Sequence, residues 1–343
     1  MSIPEELKDY AKRLGLQHSE TLAKIFAVLY PDPKSRRIVK ALPGTVAEIS
    51  ERTGFTEGET RRLVEELKFR GAIHRILEKS DYYDVYHGWV QLRDGCAQIP
   101  GVKKEFFQLW DQVMSEDLSP LYSYIKTKDI PAMGRIIPIE QTVQPESMII
   151  DVDSARAIFK DAELVTALPC VCRQQNEAVG KRPDDCPAPY PNLCLQMGSF
   201  AKEVFERGII DAGVAERLSN KEALKRIGDA EDAGLVHSVR NNLGKDTFLC
   251  NCCECCCVIF HSIHAFDYPQ GLAPSRFQVK VDSQRCTGCG LCEERCYFHA
   301  LKVEDIVVVD LDKCYGCGSC VQVCPSDALS LEEVRSKESV RRT

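Results

Sequence analysis

The clearest chemistry in this sequence sits in eight cysteines near its C-terminal end. Cys286, Cys289, Cys292 and Cys296 recur 28 residues later as Cys314, Cys317, Cys320 and Cys324, and each set has the spacing C-x2-C-x2-C-x3-C. Three thiolates this close on one loop can hold three corners of an iron–sulfur cubane. Gly288, Gly290, Gly316 and Gly318 would let the backbone curl around such a cluster and turn amides toward its sulfurs. A pair of zinc sites would instead join C-x2-C units across a longer gap. The stretch Val279-Lys280-Val281-Asp282 has its counterpart in Val307-Val308-Val309-Asp310, as expected of two short hairpins folded against each other.

This duplicated spacing resembles that of the bacterial two-cluster ferredoxins. Pro325 after Cys324 follows their pattern, whereas Tyr297 after Cys296 departs from it. The resemblance implies two 4Fe-4S clusters and transfer of electrons one at a time, with the fourth cysteine of each copy serving the other copy's cluster. One cluster is then held by Cys286, Cys289, Cys292 and Cys324, the other by Cys314, Cys317, Cys320 and Cys296.

The chain has 19 cysteines, and in a reducing compartment so many call for metal rather than disulfides. Beyond the eight, Cys96 stands apart and reads as a small buried hydrophobe. The other ten are Cys170 and Cys172, Cys186 and Cys194, and the run Cys250, Cys252, Cys253, Cys255, Cys256 and Cys257. They suffice for one or two further iron–sulfur clusters. Neighbouring side chains on extended backbone point opposite ways, so Cys252 and Cys253, or Cys255 and Cys256, are expected to serve different centres. The grouping expected first is Cys170, Cys172, Cys186 and Cys194, completed or bridged by part of the later run. Arg173 would then neighbour an anionic centre, and Pro183, Pro187, Pro189 and Pro191 would keep the intervening loop irregular. His261 and His264 can share a helix face near that metal, although satisfied, partly buried histidines are the simpler reading.

Three regions must position these ligands, and together they predict an α+β chain. Residues 1–95 read as a winged-helix-like domain. Ile25, Phe26 and Leu29 mark a helix, Val46 and Ile49 a second one ending near Gly54, and Leu63, Val64 and Leu67 a third behind the capping pair Thr56 and Glu59. Strands from Ala72 to Leu77 and Tyr82 to Tyr86 flank the turn Lys79-Ser80-Asp81. Residues 96–275 read as a mainly helical, cysteine-rich metal domain. In it Phe106, Phe107, Trp110 and Val113 are core, and Ser219 with Glu222 caps a helix that Gly234 stops. Residues 276–343 form the ferredoxin-like domain.

Winged helices often read DNA with the third helix, which here carries Arg61, Arg62, Lys68 and Arg70 among Glu57, Glu59, Glu65 and Glu66. Those acids, and 51 Asp plus Glu against 44 Lys plus Arg in the whole chain, weaken the field that phosphate binding needs. DNA is therefore not the expected partner. No signal-peptide pattern opens the sequence and no apolar run approaches the ~20 residues that span a bilayer, so a cytoplasmic protein without membrane insertion is expected.

The radical S-adenosylmethionine triad C-x3-C-x2-C, the C-x-x-C-H haem signal and the phosphate-binding glycine loops are all absent. The combination of regions resembles a group of iron–sulfur proteins of anaerobes, which implies the architecture but no particular reaction. The expected function is that of an oxidoreductase component. Its ferredoxin segment relays single electrons between a protein donor or acceptor, such as a flavoprotein, and the middle cysteines. The competing expectation is a redox-sensing regulator acting through the N-terminal domain.

Overall fold

A computed structural model describes residues 1–76, 79, 81–128, 130–144, 147, 153–244 and 247–340. Helices and strands are mixed, as the α+β expectation requires. The contacts gather into two compact units. The first comprises Met1–Lys128, Val171–Lys181 and Lys202–Glu216, and the second takes the rest. The segment expected as a separate middle domain, 96–275, is shared between them.

In the first unit, the helices Glu20–Leu29, Pro33–Ala41, Val46–Thr53 and Glu57–Phe69 precede the strands His74–Arg75 and Tyr82–Asp84, which pair with each other, Tyr82–Asp84 pairing also with Gly44–Thr45. Leu77 and Ser80, expected in that hairpin, lie outside the described residues. The helix Pro33–Ala41 was not expected, because only Ile38 and Val39 of its nine residues form an apolar stripe. It is set by Pro33 at the first position and by Asp32, whose carboxylate accepts the Lys34 and Ser35 amides. Thr45 and Glu48 form a reciprocal capping box. At the next helix Thr56 caps Glu59, while the Glu59 carboxylate bonds Lys34 Nζ at 2.5 Å. Trp110 is fully buried, stacked on Trp89 and edge-on to Phe106, so the aromatic stripe is core.

The second unit departs most from expectation. The middle region, expected to be mainly helical with short extended pieces, joins those pieces into a seven-stranded sheet that was not expected, ordered Leu272–Ala273, Gly134–Ile136, Val236–Arg240, Phe248–Cys252, Cys194–Met197, Val165–Leu168 and Glu216–Leu218. Its strands are short, and cysteines at alternate positions hide the usual apolar alternation. Leu249 and Asn251 face one side, with Asn251 fixed by His237 Nδ1 at 2.7 Å and by the Leu193 carbonyl. That side packs Leu195, Val239 and Leu249 against Phe159, Ala223 and Ile227 of two covering helices. The capping box at Ser219 and Glu222 opens one of these helices, and Gly234 follows it at φ 74°. Cys194, Cys250 and Cys252 alternate onto the opposite face.

On that opposite face Ile136 and Val236 meet Phe260, Phe298 and Tyr315 in one apolar cluster, which brings the ferredoxin segment onto the sheet. Asp153, fully buried, anchors the junction. Its carboxylate bonds Arg276 Nε at 2.7 Å and Arg135 Nη1 at 3.3 Å.

Candidate iron–sulfur and thiolate sites

The ferredoxin segment is built from its own repeat. The strand before each cysteine loop pairs with the strand that follows the other loop: Phe277–Val281 with Leu329–Glu333, and Val307–Val309 with Leu301–Val303. Two separate local hairpins were expected. Only the second pair is one, because the first joins the two ends of the segment.

Two hollows result. Cys286, Cys289, Cys292 and Cys324 line one of about 310 Å³. Cys296, Cys314, Cys317 and Cys320 line another of about 300 Å³. Each therefore mixes three cysteines of one copy with the fourth of the other, the geometry a cubane needs. Backbone amides already face the sulfurs, since Ala300 N–H donates to Cys296 Sγ and Ala328 N–H to Cys324 Sγ, both at 3.3 Å. Such bonds stabilise the negative charge of a bound cluster.

The loops need glycine for close approach. A Cβ at Gly288 would lie 2.5 Å from Asp305 O, and one at Gly316 2.0 Å from Phe277 O, with φ near +65° at both. The donor set, hollows and amides fit 4Fe-4S clusters, whose chemistry is transfer of one electron at a time.

The sheet and the turn after it arrange the middle cysteines. Cys194 lies opposite Cys250 in the strand register, with Cys252 two residues further on the same face. The Cys250 thiol hydrogen-bonds Cys194 and Cys252. The Cys194 contact and burial push it well above the usual thiol range, and a charge on Cys257 would add to that. Cys257 caps the helix Val258–Ala265. Cys252 and Cys257 belong to the same apolar cluster as Cys296 and Cys317 of the ferredoxin hollow.

Cys186 belongs elsewhere. Its Sγ lies 3.8 Å from Cys253 Sγ, Cys255 Sγ is 3.7 Å from Cys256 Sγ, and all four sulfurs fall within 4.8 Å of one another. Cys253 and Cys256 are buried and Cys255 exposed. Hydrogen bonding to Cys253 pushes the Cys255 thiol up to about 12. The foursome expected from Cys170, Cys172, Cys186 and Cys194 is thus divided, with Cys186 and Cys194 drawn to different parts of the later run. The expected separation of neighbours occurs at Cys252 and Cys253. It fails at Cys255 and Cys256, which lie in a turn where strand alternation does not apply.

Cys170 follows the strand Val165–Leu168, its N–H donating to Pro191 O at 3.1 Å. In the first unit, Cys172 accepts from Arg93 Nη2 at 3.2 Å, and Arg173 is buried. Cys96 is buried there too, its thiol donating to Gly71 O at 3.0 Å, and burial pushes it up to about 12. That is the small hydrophobe expected.

The sequence reading missed His299. Its Nε2 lies 2.9 Å from Glu254 Oε1, and its ring stacks on His264 at 4.6 Å. His264 Nε2 is also 3.0 Å from Tyr297 O, while His261 packs edge-on against Phe266. Tyr297, the residue that departs from the ferredoxin pattern, packs against Phe260. Burial pushes its phenol up, and charge at Cys253 and Cys255 would push further, so the departure places an aromatic ring beside the thiolate group.

Two stretches, 279–302 and 307–330, match the 4Fe-4S binding domain family. No curated protein and no solved structure matches the chain. The C-terminal part is a two-cluster ferredoxin domain. With the cysteine-rich region beside it, the chain has the features of an iron–sulfur electron-transfer protein. Among the described residues no helix is long and apolar enough to cross a membrane.

Proposed function

We propose that this protein is the electron-transferring component of a cytoplasmic oxidoreductase. Its ferredoxin domain exchanges single electrons with a protein partner, a flavoprotein among the candidates. It passes them to a third cluster on Cys194, Cys250, Cys252 and Cys257, which is a further step of the relay or the place of reduction. The observation that carries this reading is the packing of Cys252 and Cys257 with Cys296 and Cys317 in one apolar cluster. Cysteines of the sheet and of the ferredoxin hollow thus pack on one shared core, with no separate domain between them.

The test is a reductive titration of the anaerobically purified full chain. Each cubane accepts one electron, so the wild type is expected to take up about three per chain and Cys252→Ser about two. Equal uptake by the two proteins would remove the third cluster from the relay.

A redox-responsive DNA-binding regulator is the second reading. What favours it is the N-terminal order of helices followed by a hairpin, which suits a winged helix. The basic residues of the helix Glu57–Phe69 and its C-cap weigh against it, since each is engaged with an acid. Arg61 bonds Asp81 at 3.0 Å, Lys68 reaches Glu65 at 2.5 Å, and Arg62 and Arg70 both reach Glu66. We assign this module to protein docking.

A further inference from the structure

We propose that Cys186, Cys253, Cys255 and Cys256 bind a single tetrahedral thiophilic ion, zinc or ferrous iron, rather than an iron–sulfur cubane. The ligand identities suit either filling, so spacing has to decide. Around one ion with metal–sulfur bonds of about 2.3 Å, a tetrahedron places its sulfurs about 3.8 Å apart. Around a cubane each thiolate lies one bond beyond an iron corner, which spreads the sulfurs to roughly 6 Å. The separations are 3.8 Å for Cys186 and Cys253 and 3.7 Å for Cys255 and Cys256, with all four sulfurs inside 4.8 Å. The same molecule supplies the contrast. The ferredoxin cysteines line hollows instead, and among the described residues they form no such tight group.

The surroundings are those of a closed structural site. Cys253 and Cys256 pack with Leu193, Ala230 and Leu235, and Cys186, Ala188 and Tyr190 cover them. Glu254 stands within the turn, but its carboxylate faces His264 and His299, so the nearest carboxylate is engaged outside the thiolate group. Among the described residues the group holds four thiols and no other ligand side chain, the coordination of structural zinc and of single-iron sites, whereas a catalytic ion keeps a position open. The ion would tie the loop bearing Cys186 to a turn 67 residues away. The relay ligands would then be held at a fixed place on the sheet, because Cys252 and Cys257 flank that turn. This site concerns ligands distinct from those of the proposed third cluster, so either assignment can fail alone.

The experiment is metal and acid-labile sulfide analysis of the anaerobically purified full chain, as wild type and as Cys186→Ser. X-ray absorption at the zinc edge, or at the iron edge of the wild type against the variant, is read alongside. The expected result is the loss of about one metal ion per chain with sulfide unchanged, and an absorption signal with metal–sulfur contacts near 2.3 Å and no nearby metal. Ferredoxin absorbance retained in the variant reports that it has folded. Should Cys186→Ser fail to fold, Cys255→Ser alters the exposed ligand and reads the same quantity. Loss of about four irons with about four sulfides would overturn the assignment in favour of a cubane. Unchanged metal in folded variants would overturn the site itself. Cys252→Ser separates the two proposals, because it should lower iron and sulfide together and leave the single ion bound.

Discussion

Cys186 and Cys253 bring their sulfurs to 3.8 Å although they stand 67 positions apart in the chain, and this contact divides the middle cysteines. It draws Cys186 away from Cys194, which faces Cys250 across the sheet. The cysteine run is thereby divided between two groups, Cys252 and Cys257 packing with ferredoxin cysteines and Cys253, Cys255 and Cys256 gathering with Cys186.

The separation of ligand sets predicts what happens on loss of one ferredoxin ligand. Cys320 lines the hollow shared with Cys296, Cys314 and Cys317. Cys320→Ala should therefore alter or empty that cluster while the cluster on Cys286, Cys289, Cys292 and Cys324 and the middle centres stay filled. Electron paramagnetic resonance of the reduced protein, with iron counted per chain, checks this. Loss of every cluster from a folded protein would contradict the grouping.

Asp153 should be one of the costliest side chains to alter in the second unit. Its carboxylate neutralises two buried guanidiniums, Arg276 and Arg135, and burial already pushes the Arg135 pKa down. Asp153→Asn keeps the size but takes the carboxylate away from Arg135 and leaves Arg276 with Glu333 alone, and breaking such a buried pair costs about 3–5 kcal/mol. Denaturant unfolding of the anaerobic protein should show the shift in midpoint, with ferredoxin absorbance lost at the same denaturant concentration.

Cys96 should be nearly inert to alkylation in the native chain. Its thiol is buried, bonded to Gly71 O, and raised to about 12 by burial. The reactive species is the thiolate. Its population therefore grows about tenfold per unit of rising pH and stays small until near that value. Mass spectrometry after iodoacetamide at pH 8 should find Cys96 unmodified in folded protein and modified once the protein is unfolded. Rapid labelling of the folded protein would show that the site opens.

The N-terminal module should not select a DNA sequence. The four basic residues of its third predicted helix are spent on Asp81, Glu65 and Glu66, which leaves little charge for phosphates. Anaerobic selection from genomic fragments at ~0.15 M salt should enrich no discrete site. Enrichment of one site that depends on the redox state of the clusters would support the regulator instead.

Legibility in the sequence followed the distance over which each feature is decided. Three ligands of each ferredoxin set were legible from spacing, because each loop carries them within seven residues, and the resemblance to two-cluster ferredoxins implied the exchange of the fourth. Helix boundaries at Thr56, Ser219 and Gly234 were legible for a similar reason, since a cap is settled by side chains three or four residues apart. The seven-stranded sheet was not, because its strands are three to five residues long in the cysteine-rich part and carry ligands where apolar residues would signal a strand.

The middle sites were decided only by tertiary structure. Cys252 and Cys253 fall in different side-chain groups, as alternation along a strand leads one to expect. Which sulfur meets Cys250 depends on register with a strand more than fifty residues earlier. Cys255 and Cys256 converge because the chain has left the strand and turned, a change of backbone geometry that composition does not announce. The sequence by itself determined that the chain would bind metal through thiolates and where two of its clusters would sit. Sheet register and one turn decided how the other cysteines are shared, because sulfurs distant in sequence meet only where the folded backbone brings them to the same place.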